Sequence, residues 1–305
     1  METVLILVKQ ILQMFLLGAI GFLLVKAKKI TPEGTRTMGN ILIYVSLPAV
    51  IISSFLVERT REHLLGMISS AAGAVVLLIL SILISRLFFR KDPIASFAGA
   101  FSNPGFFGVP LIIASVGQGA VFYVACFIAF LNIGQWTYGV SVLTGQPLRQ
   151  GLSFEKLIRA PFVIAILIGL TLFLTQLPLP EILRSALTTV SGLNTPLSMF
   201  TVGVYLAETH PGRMLRRKTL YLVALIRLVL IPLVSLLLLS LLPASLYEMK
   251  MALLLAISCP VGSNVAVYAQ LHGKDYPYAV ETVTISTLLS VITIPAVIRL
   301  AELIW

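Results

Sequence analysis

The residues with chemistry to offer are few, and they sit in apolar surroundings. Asn103 and Asn264 each lie at a stretch that cannot form an unbroken helix. These stretches are Ser102-Asn103-Pro104-Gly105-Phe106-Phe107-Gly108-Val109-Pro110 and Cys259-Pro260-Val261-Gly262-Ser263-Asn264. Proline removes a backbone donor and clashes with the preceding turn, while glycine lowers the cost of unusual dihedrals. A helix that restarts after such a break presents unpaired N–H groups and a dipole end of about +0.5 charge. Two such ends brought together suit a carboxylate, and each asparagine adds amide donors and an acceptor. Pro104, Gly105, Pro260, Gly262 and Ser263 join the two asparagines as candidate binding residues, with Gly108 and Pro110 supporting the first break. The half-helices that end at the breaks offer carbonyls able to hold a cation or a proton carrier. The plainer alternative is that each asparagine only caps a gap in the backbone.

Other polar residues lie inside apolar runs. Asn132 and Gln135 are amides outside either break; an interhelical hydrogen bond and a substrate contact both fit them. Trp136 and Tyr138 are aromatic packing or a stacking surface. Arg227, in Ala224-Leu225-Ile226-Arg227-Leu228, is costly inside a membrane, which suggests a substrate contact or a counter-ion. Snorkelling to an interface is its alternative. Thr284, Ser286, Thr287 and Ser290 form a hydroxyl-rich helix face, either packing or a pocket wall, with Thr287 the candidate support residue. No acidic residue is centred in an apolar run: Glu281 and Glu302 lie near the ends of the last one, and Glu208 ends the seventh. The three histidines are far apart, and the aspartates Asp92 and Asp275 are in loops. No metal-ligand spacing, nucleophile elbow or phosphate-binding loop occurs, so the residues point to recognition and not to catalysis, with no cofactor and no metal.

The elements that must position these groups are membrane helices. The chain has 305 residues, 58% hydrophobic and only 11% charged, where a soluble domain carries about 25% charge. Apolar runs near 20 residues recur throughout, each long enough to span a bilayer. We expect ten spans, at roughly 4–25, 38–56, 64–87, 95–115, 119–143, 157–175, 183–206, 219–241, 249–270 and 279–303. The first run is long and continues as a span, so no cleavable leader is expected. Cys126 and Cys259 fall inside spans, which predicts neither a disulfide nor a metal site.

The net charge of +10 belongs to loops, not to a nucleic-acid surface. After odd-numbered spans come Lys26, Lys28, Lys29 and Arg36; Arg90 and Lys91; Arg149 and Lys156; Arg213, Arg216, Arg217 and Lys218; and Lys274. After even-numbered spans come only Arg59, Arg61, Arg184 and Lys250. The positive-inside rule then places the odd loops in the cytoplasm and both termini outside. The halves also repeat. Span 2 carries Leu47-Pro48 and span 7 Thr195-Pro196, while spans 4 and 9 carry the breaks. Pro48 to Pro110 is 62 positions, and Pro196 to Pro260 is 64. Five spans per half is odd, so the second half enters the membrane in the opposite sense, an inverted repeat. The expected units are a first repeat at 1–143, a cytoplasmic linker at 144–156 and a second repeat at 157–305.

With these residues in view, the chain resembles the auxin efflux carrier family. Asn103-Pro104-Gly105-Phe106-Phe107-Gly108-Val109-Pro110-Leu111 is similar to that family's span-4 motif, and Pro260-Val261-Gly262-Ser263-Asn264 to its span-9 motif. Tyr44-Val45-Ser46-Leu47-Pro48 and the run from Ser286 to Pro295 resemble its spans 2 and 10. The resemblance implies an all-α membrane protein of ten helices in two inverted five-helix repeats, like the bile-acid/sodium symporters. Helices 4 and 9 would be broken and cross at their prolines. Helices 1, 2, 6 and 7 would form a scaffold and a possible homodimer contact; helices 3–5 and 8–10 would form a domain that moves like an elevator. It also implies that Asn103 contacts a substrate carboxylate, that Asn132 lines the same site and that Pro260 is the second crossover proline. The chain lacks the long central loop of the plant carriers, and its Asn264 replaces an apolar residue. Both departures point away from auxin and toward compact bacterial members, some linked to malate or malonate.

The expectation is therefore a secondary transporter of a small organic anion in the bacterial inner membrane, with Asn103, Asn132 and Asn264 at the substrate. The alternative is a membrane sensor that uses the same pocket without net transport. A channel fits poorly, because no ring of charge is present. Substrate identity, direction and coupling to H+ or Na+ are not legible.

Overall fold

The computed structural model describes residues 2–147 and 159–305. Most of the expected linker 144–156, with Arg149 and Lys156, lies outside the described residues. Secondary structure in the described residues is helical apart from one isolated bridge, Ser102 to Val261. The helices are α1 (Glu2–Lys26), α2 (Pro32–Ser54), α3 (Arg61–Phe88), α4 (Pro93–Ala100), α5 (Pro104–Ser115) and α6 (Gln118–Thr144). They continue as α7 (Pro161–Thr175), α8 (Glu181–Ser191), α9 (Asn194–Glu208) and α10 (Pro211–Arg216). The last are α11 (Lys218–Leu239), α12 (Tyr247–Ser258), α13 (Asn264–Leu271) and α14 (Tyr276–Ile304).

Among the described residues, six helices are long and apolar enough to cross a membrane: α1, α2, α3, α6, α11 and α14. The stretches expected as spans 4, 7 and 9 are each split in two, and span 6 is the 15-residue α7. Helix α2 also begins earlier than hydropathy alone suggests. Its first turns are polar, but Thr31 caps them by accepting the Gly34 N–H at 3.1 Å, and Pro32 supplies a preset φ. Asp92 and Asp275 cap α4 and α14 in the same way, accepting the N–H groups of Ala95 and Tyr278.

Prolines set the internal register of several helices. Turns of π-helix at Leu42–Ser46, Pro104–Gly108 and Ile226–Leu230 each stand just ahead of a proline, at Pro48, Pro110 and Pro232. A proline inside an α-helix clashes with the carbonyl four residues back. Widening the preceding turn to an i→i+5 bond relieves that clash, and Val109 accordingly donates to Pro104 O. Each widened turn frees carbonyls and rotates the helix beyond it, so side chains are aimed differently from those of a regular helix.

The elements pack mainly in two sets, joined where α1 meets α5 and α14 and where α9 meets α14. Helix α1 lies along α9, and α2 packs on α7 and α8. The α1–α9 approach is close enough that a Cβ on Gly21 would stand 2.6 Å from Phe200 O, the small-residue contact typical of membrane helices. Elsewhere α3 packs on α4 and α6, and α14 packs on α11, α12 and α13. The breaks after α4 and α12 lie in this second set.

Candidate functional site

Helix α4 ends at Ala100 and α12 at Ser258. The chain beyond each is extended, and the two segments run antiparallel past one another. Gly262 N–H donates to Phe101 O at 2.9 Å, and Asn103 N–H donates to Pro260 O at 3.0 Å. Val261 N–H donates to Ser286 Oγ at 3.1 Å. The breaks thus satisfy much of each other's backbone, which hydrocarbon cannot do. A Cβ on Gly262 would lie 2.8 Å from Ser102 O, so the two backbones meet only because that residue is glycine.

Helices α5 and α13 restart on one side of this pairing, and their first turns border a cavity of about 40 Å³. Asn103 Nδ2 donates to Ser263 Oγ at 3.2 Å, and Asn264 Nδ2 donates to Gln135 Oε1 at 2.7 Å. Gln135 opens a π turn in α6, at Gln135–Gly139. Asn132 lines the cavity and spends its Nδ2 on Ile128 O of its own helix, at 2.7 Å. Ser102 Oγ is buried at the cavity without a hydrogen-bond partner. No ionisable side chain is among the lining residues. The groups there able to attract an anion are helix N-termini, amides and a hydroxyl. The volume holds a few waters, at about 10–15 Å³ for each. A three- or four-carbon acid requires the neighbouring elements to separate.

The structure gathers Asn103, Pro104, Gly105, Asn132, Gln135, Gly262, Ser263 and Asn264 around this cavity, with Pro260 in the paired backbone. Gly108 lies beside the second break, where a Cβ would stand 2.8 Å from Cys259 Sγ. Pro110 acts through the π turn before it. That turn and the missing Pro110 N–H free the carbonyls of Gly105 and Phe106. Asn194 Nδ2 donates to the first at 3.0 Å and Ser198 Oγ to the second at 3.1 Å, both from α9.

Two expected support residues stand elsewhere. Thr287 Oγ1 donates to Val283 O of its own helix at 2.8 Å and borders a separate, largely apolar cavity of about 140 Å³ between α1, α9 and α14. Its neighbour Ser286 is the hydroxyl that reaches the break. Arg227 is entirely buried, so its side chain does not extend to the surface of the chain; it stands at the C-terminal ends of α4 and α12 and does not line the cavity. Ser286 belongs to the hydroxyl-rich face expected as packing or a pocket wall, whereas sequence reasoning gives Ser102, Asn194 and Ser198 no site role. One signal for Asn194 and Ser198 existed: they are four apart, hence on one helix face, and Pro110 creates carbonyls that need donors. A third cavity, of about 490 Å³, lies between α2, α5, α8 and α9. Its polar lining includes Ser53, Gln118, Arg184, Thr188 and Asn194.

The model of a family described as membrane transport proteins matches the chain twice, over residues 6–154 and 150–298. The chain belongs to this family, the auxin efflux carriers. It is a multi-pass membrane transporter built as two copies of one repeat. The paired breaks of this carrier fall one in each copy. A protein of Rhizobium meliloti (strain 1021) named "Putative malonate transporter" is 27% identical to it, over 95% of this chain and 94% of that one.

Proposed function

We propose that this carrier moves a small carboxylate, of the malonate or malate class, across the bacterial inner membrane. The observation that carries the reading is the pairing of the two breaks. It sets the N-terminal turns of α5 and α13, Asn103 and Asn264 around one cavity without ionisable side chains. Such a site holds a carboxylate through dipoles and neutral donors, which bind it without neutralising it permanently. The malonate named for the Rhizobium relative carries the carboxylates such donors suit, and the cavity must widen to admit it.

The architecture of this reading is ten spans in two inverted repeats, 1–143 and 157–305, joined by a cytoplasmic linker at 144–156. Spans 4 and 9 are the split pairs α4–α5 and α12–α13, crossing at their breaks. Spans 1, 2, 6 and 7 form a scaffold and a homodimer contact; spans 3–5 and 8–10 form the part that moves as an elevator. The close packing of α1 on α9 and of α2 on α7 and α8 supports that division. Both termini face outside, by the loop charges. The larger cavity then opens outward and leads toward Asn194 beside the first break.

Two measurements test the proposal. Malonate and malate should raise the melting temperature of the purified protein, because a ligand of the folded state stabilises it, while uncharged analogues should not. Proteoliposomes should accumulate labelled malonate or malate. Stabilisation without flux returns the sensor reading; neither response to any small carboxylate ends the proposal. Reporter fusions check the orientation: a carboxy-terminal fusion active in the cytoplasm would reverse it.

A further inference from the structure

Arg227 is the largest fully buried side chain among the described residues. Its Nη1 donates to Ser81 Oγ at 2.9 Å, to Gly99 O at 3.2 Å and to Ala100 O at 3.3 Å. Its Nη2 donates to Ile257 O. Ser81 Oγ in turn donates to Ala100 O at 2.7 Å. The guanidinium therefore sits where α4 and α12 both end, held from α3 and α11. Among the described residues, no carboxylate hydrogen-bonds it. Glu281, the only buried acid among the described residues, pairs instead with Arg213 and Arg217.

The countercharge must then come from the backbone. A helix C-terminus carries about −0.5 charge, so two ends together offset one guanidinium. In transporters with interrupted helices, half-helix C-terminal ends and unwound carbonyls form the seat of a coupling cation. Here that seat holds a side chain that does not lose its proton in proteins. The anion cavity lies at the restarting ends of the same broken segments, so one pairing of breaks separates an anion seat from a cation seat.

We propose that Arg227 is a built-in counter-cation. It fills the cation seat formed by the ends of α4 and α12, so the carrier needs no Na+ there. Removing its charge turns the same carbonyls into a site for an alkali cation. The binding claim is independent of what is transported; only its consequence for flux rests on the proposed transport of a carboxylate.

The test compares melting temperatures of the purified protein in 200 mM NaCl and 200 mM choline chloride, without substrate (roughly a Debye length of 7–8 Å in both, so screening is matched). The wild type should melt at the same temperature in both salts. Arg227→Gln should be less stable in choline chloride and recover by several degrees in NaCl, or be recovered as monodisperse protein only in NaCl. Arg227→Lys, which keeps a cation, should show no preference. Na+ stabilisation of the wild type overturns the proposal. So does an Arg227→Gln protein that is equally stable in both salts, or unfolded in both. In proteoliposomes, malonate uptake by the wild type should be unchanged when choline replaces Na+; several-fold stimulation by Na+ also overturns it. A protein that binds no carboxylate but passes the melting test leaves the counter-cation standing and removes only the transport reading.

Discussion

The Asn194 side-chain amide donates to the Gly105 carbonyl at 3.0 Å, joining residues 89 positions apart. The bond exists because of a third residue. Pro110 forces the turn before it into π geometry, and the carbonyl left over faces α9 instead of its own helix. Ser198 Oγ meets the neighbouring Phe106 carbonyl at 3.1 Å. These two bonds connect α9 to the opening turn of α5. If the elevator reading is right, they must break when the two parts slide.

Removing these donors should destabilise the resting arrangement. Asn194→Ala leaves a buried carbonyl unpaired, at about 1–3 kcal/mol. Ser198→Ala should cost less, because Ser198 Oγ also contacts Thr195 O. The double variant should fall short of the sum, since both carbonyls belong to one turn. Thermal denaturation in detergent measures all three; full additivity would mean the two bonds act separately.

Asn103→Ala should weaken carboxylate binding by about tenfold or more, about 1.4 kcal/mol, and leave the fold intact. The backbone of Asn103 makes the bonds that matter for folding: N–H to Pro260 O, and carbonyl to the N–H groups of Phe107 and Gly108. Its side chain contributes one hydrogen bond, to Ser263. Ligand-induced melting shifts are the readout, and unchanged shifts would remove Asn103 from the site.

Gly108 and Cys259 should be energetically coupled. A Cβ on residue 108 would stand 2.8 Å from Cys259 Sγ, so Gly108→Ala overpacks the crossing at about 1–3 kcal/mol. Shortening the other side with Cys259→Ala should recover most of that loss. A double-mutant cycle by thermal denaturation reads the coupling, and additive costs would place the two residues apart.

The ion cluster at the start of α14 should respond asymmetrically. Arg213 Nε meets Glu281 Oε1 at 2.8 Å, and Arg217 lies 3.6 Å from Glu281 and stacks over Tyr278. Arg213 is about half exposed and Glu281 is buried. Glu281→Gln leaves arginines that water can solvate, a modest loss. Replacing Arg213 and Arg217 together by Ala leaves a buried carboxylate unpaired, which costs more. Equal melting temperatures for the two variants would contradict this account.

The membrane class, the two broken stretches and the family were legible in the sequence. Each comes from local chemistry: apolar length, the missing proline N–H and the residues of a motif. Asn103, Gln135 and Asn264 were legible too, because an amide in an apolar run must find a partner. What the sequence left open was the choice among partners. Arg227 offered a substrate contact, a counter-ion or a snorkelling tail, and only the folded chain brings the ends of α4 and α12 to it. Thr287 and Ser286 were equivalent as letters, yet one faces its own helix and the other a break. Asn194 gained a role from a proline 84 positions away. A break depends on the backbone of a few adjacent residues, so it can be read in one dimension. A side chain's partner depends on the phase of its helix and on what stands opposite. Phase here is shifted by each π turn, and contact is made across most of the chain, so tertiary structure decided it.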